Sequence, residues 1–376
     1  MHIAWLGKKT PVCGNVVYGR EITNALRDRG HHVSFLHFTE EEDIKDDLEV
    51  PLPFIYKSTI YTLPSLKTNR VLIDALRNLQ PDCVHASLAL SPLDFKLPEI
   101  CAELDLPLVA TFHSPFDAKR RNLTSSTQQL TYQIYAPSLA DYDQVIIFSE
   151  VQKEVLHRLG VPNSRLAVIP NGVDTEKYSP GYSGIKQELQ ADLLFVYQGR
   201  IAPEKNVELL LRAWKKAKMP EGCKLAIVGD GVLAVGLKTF YNDPSILWLG
   251  FIGDEARRIE ILRGADVFIL PSLVEGLSLS LLEAMACGVA CMATDVGADG
   301  EVLNGGAGIV LDPRRLLSQL VTLLPILVHQ REWIEILKQK ARQRAIERYT
   351  LQSNVSQLEK LYNQVLAHHR NRIAIF

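Results

Sequence analysis

The sequence predicts an α/β protein of two domains, each a parallel sheet wrapped by helices. Three observations carry this expectation. Short apolar runs rich in Val, Ile, Leu and Phe recur along the chain with helical segments between them, the alternation of βαβ units. That alternation starts afresh after the turn-forming stretch Tyr178-Ser179-Pro180-Gly181. Finally, 376 residues are more than one hydrophobic core usually organises, so two cores are expected.

Composition narrows the function. With 47% hydrophobic and 22% charged residues the chain is globular rather than disordered. A formal net charge of -2 gives no general pull towards nucleic acid, and no nucleic-acid partner is expected; attraction to anionic lipid has to be local. Cys13, Cys83, Cys101, Cys223, Cys287 and Cys291 form no paired motif and read as free thiols of a reducing compartment. MHIAWLG is already strand-like and lacks the layout of a signal peptide. The most apolar later run, Leu316 to Val328, is broken by Pro325 and too short to span a bilayer.

The first domain opens with a strand over His2 to Leu6, a loop from Gly7 to Gly19, a helix over Arg20 to Arg29 and a strand over Val33 to His37. This is the start of a Rossmann-like half. LGKKT lacks the earlier glycine of a P-loop and is set aside. Residues 39–49, TEEEDIKDDLE, read as a solvated acidic loop. Strands are expected at Cys83 to Ala86, Leu108 to Phe112 and Gln144 to Phe148, with helices over Arg70 to Leu79 and Pro98 to Leu104. His113 stands at a strand's carboxyl end, where it serves either as a hydrogen-bonded structural residue or as a cleft residue. Lys119, Arg120 and Arg121, with the partly apolar stretch holding Leu123, Leu130, Tyr132, Ile134 and Tyr135, are either a lipid-headgroup contact or an ordinary exposed face.

The second domain repeats the architecture without repeating the sequence. Its strands are expected at Leu193 to Gln198, Lys224 to Val228, Ile246 to Leu249, Val267 to Leu270 and Ala290 to Ala293. Arg200 and Lys205, in GRIAPEKN, project from the first strand end and the next helix start. Two cations converging there call for an anion, and a diphosphate fits. In LPSLVEGLSLSLLEAMACG a strand end leads through a Pro-Ser turn into a helix that starts near Ser278 and stops at Gly288. Glu275 precedes that helix and Glu283 lies inside it. Eight helical residues rise about 12 Å, the span from a ribose across a pyrophosphate to a sugar. The amides of Leu277, Ser278 and Leu279 and the positive helix end suit the phosphates between the two acids. Asp141-Tyr142-Asp143 has the form of a metal-binding D-x-D but lies away from these motifs; no metal and no cofactor is expected.

PSLVEGLSLSLLEAMACG resembles the E-x7-E signature of glycosyltransferase family 4, the retaining GT-B enzymes. VIPNGVDTEKYSP, GRIAPEKN and LGFIGDEA follow in that family's order. The resemblance implies two Rossmann-like domains facing across a cleft, with a last helix (Ser353 to Ala367) crossing back to the first. Expected boundaries are 1–178 for the acceptor-binding domain, 179–350 for the nucleotide-sugar domain and 351–376 for the returning helix. It further implies a diphosphate held by Arg200 and Lys205, a sugar oriented by Glu275, with Gly276 beside it, and contacted by His113, a ribose held by Glu283, and a base held by the backbone at Phe251 and Ile252. Gly14, in Cys13-Gly14-Asn15, stands where the family has paired glycines, and still lets backbone approach a phosphate or sugar. The opening MHIAWLGKKTPVCGNVVYGREITNAL, with TFHSPFDAKRR, is similar to the cyanobacterial-type digalactosyldiacylglycerol synthases. That likeness implies UDP-galactose as donor, a galactolipid acceptor and a peripheral, monotopic protein on the cytoplasmic side of a membrane. A soluble sugar, sugar-phosphate or polysaccharide acceptor is the alternative, and a nucleotide-sugar epimerase or a silent binding module is the alternative of another class.

Overall fold

The structure is a computed structural model that describes every residue except 11–12, 41–45, 47, 59–60, 89, 117–122 and 374–376. It divides into two units. One comprises Met1–Ser114, Gln129–Asn171 and Leu351–Phe376, the other Pro115–Gln128 and Gly172–Thr350.

The first unit is built on β1 (His2–Gly7), β2 (His32–Phe38), β3 (Glu49–Leu52), β4 (Cys83–Ser87), β5 (Leu108–Thr111), β6 (Gln144–Ile147) and β7 (Leu166–Val168). All neighbours are parallel, in the order β3-β2-β1-β4-β5-β6-β7. Ile3 lies opposite Val33 on one side and Cys83 on the other. The central strands are buried along nearly their whole length, as expected where helices cover both faces of a sheet and side chains of either parity need to be apolar. The second unit repeats the plan with β8 (Leu193–Gln198), β9 (Cys223–Val228), β10 (Ile246–Gly250), β11 (Val267–Leu270), β12 (Ala290–Thr294) and β13 (Ile309–Leu311), in the order β10-β9-β8-β11-β12-β13. In each sheet the chain direction of travel reverses beside its first strand, the switch point where doubly wound folds bind ligands.

In the two large sheets three strands were not foreseen: β3, β7 and β13 are edge strands of three or four residues. Glu49 belongs to β3, not to a solvated loop: its side chain is buried, 2.5 Å from Lys9 and 2.9 Å from His37. The helix α1 (Gly14–Asp28) also starts earlier than expected, directly at Gly14. Asp143 has a structural task, accepting from the Leu108 amide at 2.8 Å and facing Arg165.

The terminal helix, Leu351–Ile373, belongs to the first unit. Arg29 and His31 both meet Glu359 on it. Deeper in, the Tyr362 hydroxyl lies 2.5 Å from Nδ1 of His85, whose Nε2 lies 2.8 Å from Oγ1 of Thr111. His85 stacks on Trp5, and burial holds it neutral. A Tyr362→Phe variant leaves one imidazole nitrogen buried without a partner. It should lose about 1–3 kcal/mol of stability in urea unfolding of the intact chain, whereas Glu359→Gln, at a half-exposed pair, should lose less than about 1 kcal/mol.

Candidate active site

The second unit gathers its charged side chains at the switch point between β8 and β11. Lys205 Nζ lies 2.5 Å from Oε1 of Glu275, and the Ser272 hydroxyl donates to the same oxygen at 2.6 Å. Glu275 is only 7% exposed, so this carboxylate has exchanged water for a cation and a hydroxyl. Arg200 is paired with Glu204 on the same loop. Each of the two cations is thus balanced by a carboxylate of the protein. The loop they stand on is packed tightly; a Cβ on Gly229 would lie 1.9 Å from the Gly199 carbonyl oxygen.

The turn from β11 leads into α2 (Leu279–Ala286), with Ser278 as N-cap and its Oγ accepting from the Leu281 amide. Leu277 packs under the turn, buried. The Ser278 amide is not open to a phosphate as expected: it donates to Oδ1 of Asp299 at 2.9 Å. Asp299 is buried, and its Oδ2 has no hydrogen-bond partner. Burial first, and then the charge of Glu275, push its carboxyl well above the usual range. The remaining orphan amides of the helix start at Leu279. The Glu275-Gly276 backbone is clamped as well. Phe116 donates its amide to the Glu275 carbonyl at 2.8 Å, Gly297 donates to the Phe116 carbonyl, and Ala298 donates to the Gly276 carbonyl. Gly297 has φ +57°, and a Cβ there would lie 2.3 Å from the Glu275 carbonyl oxygen, so only glycine lets the two loops meet.

Further along α2, Glu283 accepts from Nε2 of Gln198 at 2.9 Å. Burial raises its pKa to about 7, against the opposing charge of Arg258 and a hydrogen bond from Tyr178. After β10, the Phe251 ring is 68% exposed, while the Ile252 carbonyl accepts from Arg258 at 3.0 Å. Asp254 then caps the next helix, Glu255–Gly264.

In the first unit, His113 sits at the end of a partly buried chain of hydrogen bonds. Asn15 donates from Nδ2 to the Leu88 carbonyl, and its Oδ1 accepts from the Ser87 hydroxyl at 2.7 Å. With the hydroxyl proton committed there, Ser87 accepts from Nε2–H of His113 at 2.9 Å. Desolvation lowers the His113 pKa to about 3, so the ring is neutral and keeps Nδ1 as an acceptor. Gly14 opens α1 with free space around its Cβ position. Lys119, Arg120 and Arg121 lie outside the described residues. Of the apolar residues named with them, Tyr132 and Tyr135 are core residues rather than surface contacts, bonded to the Ser114 carbonyl and to Asp94, while Leu130 and Ile134 are exposed. Asn15, Ser87, Gln198, Ser272 and Asp299 were not singled out by sequence.

Residues 13–177 match the sequence profile described as Glycosyltransferase Family 4, and residues 192–325 match that described as Glycosyl transferases group 1. These are glycosyltransferase domains. Sulfoquinovosyl transferase SQD2 of Arabidopsis thaliana is 27% identical over 78% of this chain and 58% of its own length. The UDP-Gal:alpha-D-GlcNAc-diphosphoundecaprenol alpha-1,3-galactosyltransferase of Escherichia coli is 28% identical over 58% of this chain and 59% of its own. The matches to these two relatives thus span less than two thirds of the relatives' length. Among solved structures, HepE of Anabaena in complex with UDP-glucose aligns with TM-score 0.79 at 16% identity, covering 97% of this chain and 100% of that one. The glycosyltransferase units have the GT-B fold class: two Rossmann-like α/β domains. Among the described residues no helix is long and apolar enough to cross a membrane.

The raised pKa of Glu283 gives a pH test. A vicinal diol is best held by the carboxylate, so a nucleotide sugar that uses Glu283 releases its proton on binding. Affinity for a UDP-sugar, whose phosphodiester does not titrate near neutrality, should rise as pH increases through about 7. In Glu283→Gln that rise should vanish, with affinity at pH 8 lower by roughly tenfold or more; isothermal titration at pH 6 and 8 reads both.

Proposed function

We propose that the protein is a retaining hexosyltransferase that moves galactose from UDP-galactose onto a galactolipid, making digalactosyldiacylglycerol at the cytoplasmic face of a membrane to which it binds peripherally. One observation carries the donor half of this reading. The paired Lys205 and Glu275 stand just before a helix whose glutamate, Glu283, lies eight residues beyond Glu275, all at the switch point of a parallel sheet. A donor laid along this line has its diphosphate at Lys205, Arg200 and the amide of Leu279, its ribose diol on Glu283, its base along Phe251 and Ile252, and its sugar at Glu275 and Gly276. The UDP-glucose bound by HepE and the UDP-Gal in the name of the Escherichia coli relative support a uridine nucleotide sugar. That relative's diphosphoundecaprenol acceptor supports a lipid-linked one here. The likeness of the chain's opening and of TFHSPFDAKRR to digalactosyldiacylglycerol synthases supports galactose and a galactolipid.

The bond from the anomeric carbon to the diphosphate oxygen breaks with its electron pair leaving on the diphosphate. An acceptor hydroxyl attacks the same face, and its proton passes to the departing phosphate oxygen. Arg200, Lys205 and the helix start stabilise the growing negative charge. As Lys205 turns to the diphosphate, Glu275 is released to hold sugar hydroxyls and offset the oxocarbenium charge. Within the first unit, the neutral ring of His113 offers an acceptor nitrogen of the kind that suits a sugar hydroxyl. No second carboxylate takes a nucleophile's place in this scheme, so a glycosidase-like double displacement is not invoked.

Purified protein incubated with labelled UDP-sugars and galactolipid liposomes should move label from UDP-galactose into a digalactosyl lipid; label only in water-soluble product would overturn the lipid acceptor. Glu275→Gln should lower transfer by roughly a hundredfold or more with an unchanged circular dichroism spectrum, and full activity in that variant would overturn the site.

A further inference from the structure

The first unit carries a second, smaller sheet in which Phe54–Lys57 pairs antiparallel with Thr62–Pro64. Its inner side is fixed: Thr62 is fully buried, its amide donates to the Leu90 carbonyl, and its strand packs on the turn Pro92–Phe95. Its outer side is apolar. Ile55 is 65% exposed, Tyr56 and Tyr61 49% each, Leu63 41%, and Leu66, in the turn that follows, is wholly exposed. The register explains how two neighbours on one strand both face outward. Pairing shifts between Phe54 and Tyr56, so Ile55 sits in a bulge that adds its side chain to the outer face. Tyr56 pairs with Leu63 across the strands, and its ring centroid lies 5.4 Å from that of Tyr61.

Five large apolar or aromatic side chains exposed within twelve residues are not the scattered singles of an ordinary surface. Along the segment itself the charges have one sign. From Pro53 to Ile73 the charged residues are Lys57, Lys67 and Arg70, with no Asp or Glu. Lys57 is held against the Phe38 carbonyl and Thr10, and its ammonium lies over the Phe54 ring. Lys67 is exposed, and Arg70 is 90% exposed in a loose 3.8 Å pair with Asp74. Aliphatic tips, tyrosines with an apolar body and a polar hydroxyl, and flanking cations match the depth profile of a bilayer whose headgroups are anionic.

We propose that this antiparallel pair and the turn at Leu66 form the surface by which the chain lies on an anionic lipid bilayer, with Ile55, Leu63 and Leu66 below the headgroups, Tyr56 and Tyr61 at their level, and Lys67 and Arg70 on their phosphates. The purpose of this surface rests on the lipid-acceptor reading, although the surface itself is tested separately.

The test is sedimentation of the intact chain with phosphatidylglycerol or phosphatidylcholine vesicles, alongside galactosyl transfer to galactolipid dispersed in detergent micelles. Wild type should sediment with the anionic vesicles and less with the neutral ones. I55S/L63S/L66S should lose about tenfold or more of that partition, and K67E/R70E should lose the preference for anionic lipid. Both variants alter exposed side chains and should keep the wild-type melting temperature and micelle activity. Wild type that ignores vesicles, a triple variant that sediments unchanged, or equal binding to both lipids overturns the proposal. So does a triple variant that turns a wild-type dimer into a monomer on a sizing column without changing sedimentation, since a second copy is then the occupant. Sedimentation as expected with no transfer to micellar lipid by any form leaves the surface standing and removes the lipid acceptor.

Discussion

A carboxylate that is 7% exposed at the head of a helix needs a cation, and Lys205 supplies it to Glu275 at 2.5 Å. The rest of the candidate site is arranged around that pair. Ser272 holds the same oxygen, Phe116 and Ala298 hold the adjoining backbone carbonyls, and Gly297 permits the approach that makes those bonds possible. The turn therefore has its shape before any ligand arrives, which is the preorganisation that electrostatic catalysis requires. Arg200 with Glu204, and the Ser278 amide with Asp299, follow the same rule. Both cations and the Ser278 amide are balanced within the protein, so a diphosphate has to compete with carboxylates already in place. That competition favours a ligand with two phosphates over one with a single charge.

Both sheets follow one strand order from their first strand outwards, and this was legible because their central strands are buried on both faces. Runs such as Leu193–Gln198, apolar or aromatic up to its final glutamine, and Val267–Leu270, apolar throughout, had their limits read to the residue. Edge strands give no such signal. Glu49–Leu52 contains a glutamate and a proline, and its burial depends on Lys9 and His37, which come from other parts of the chain. The start of α1 was misplaced because Gly14 and Asn15 are turn formers by local preference, whereas the helix begins with them and buries Val16 and Tyr18 just beyond.

At the site, sequence revealed which residues carry chemistry but not which of them hold one another. The motif pointed to Glu275 and Glu283 by type and spacing. Their partners, Lys205 and Gln198, stand on the loop after the neighbouring strand and at that strand's end, 70 and 85 positions away. Asp299 was visible as an acid in the loop after β12, and nothing local tells that it would be buried against the Ser278 amide. The same holds for the Asn15, Ser87 and His113 chain, which the start of α1 and two strand ends contribute. The exposed face at Ile55 to Leu66 carried no signal in the sequence, because apolar residues in a β-rich stretch do not show which side meets solvent, and at Ile55 a bulge decides it.

The account stands on a diphosphate-binding centre at Lys205, and calorimetry of UDP and of uridine against wild type and Lys205→Ala tests it most directly. It predicts that wild type binds UDP more tightly than uridine. It also predicts that Lys205→Ala, which leaves Glu275 facing the phosphates without its cation, loses about tenfold or more of the UDP affinity while uridine binding is unchanged. UDP binding that is absent in wild type, or equal in the two proteins, would contradict it.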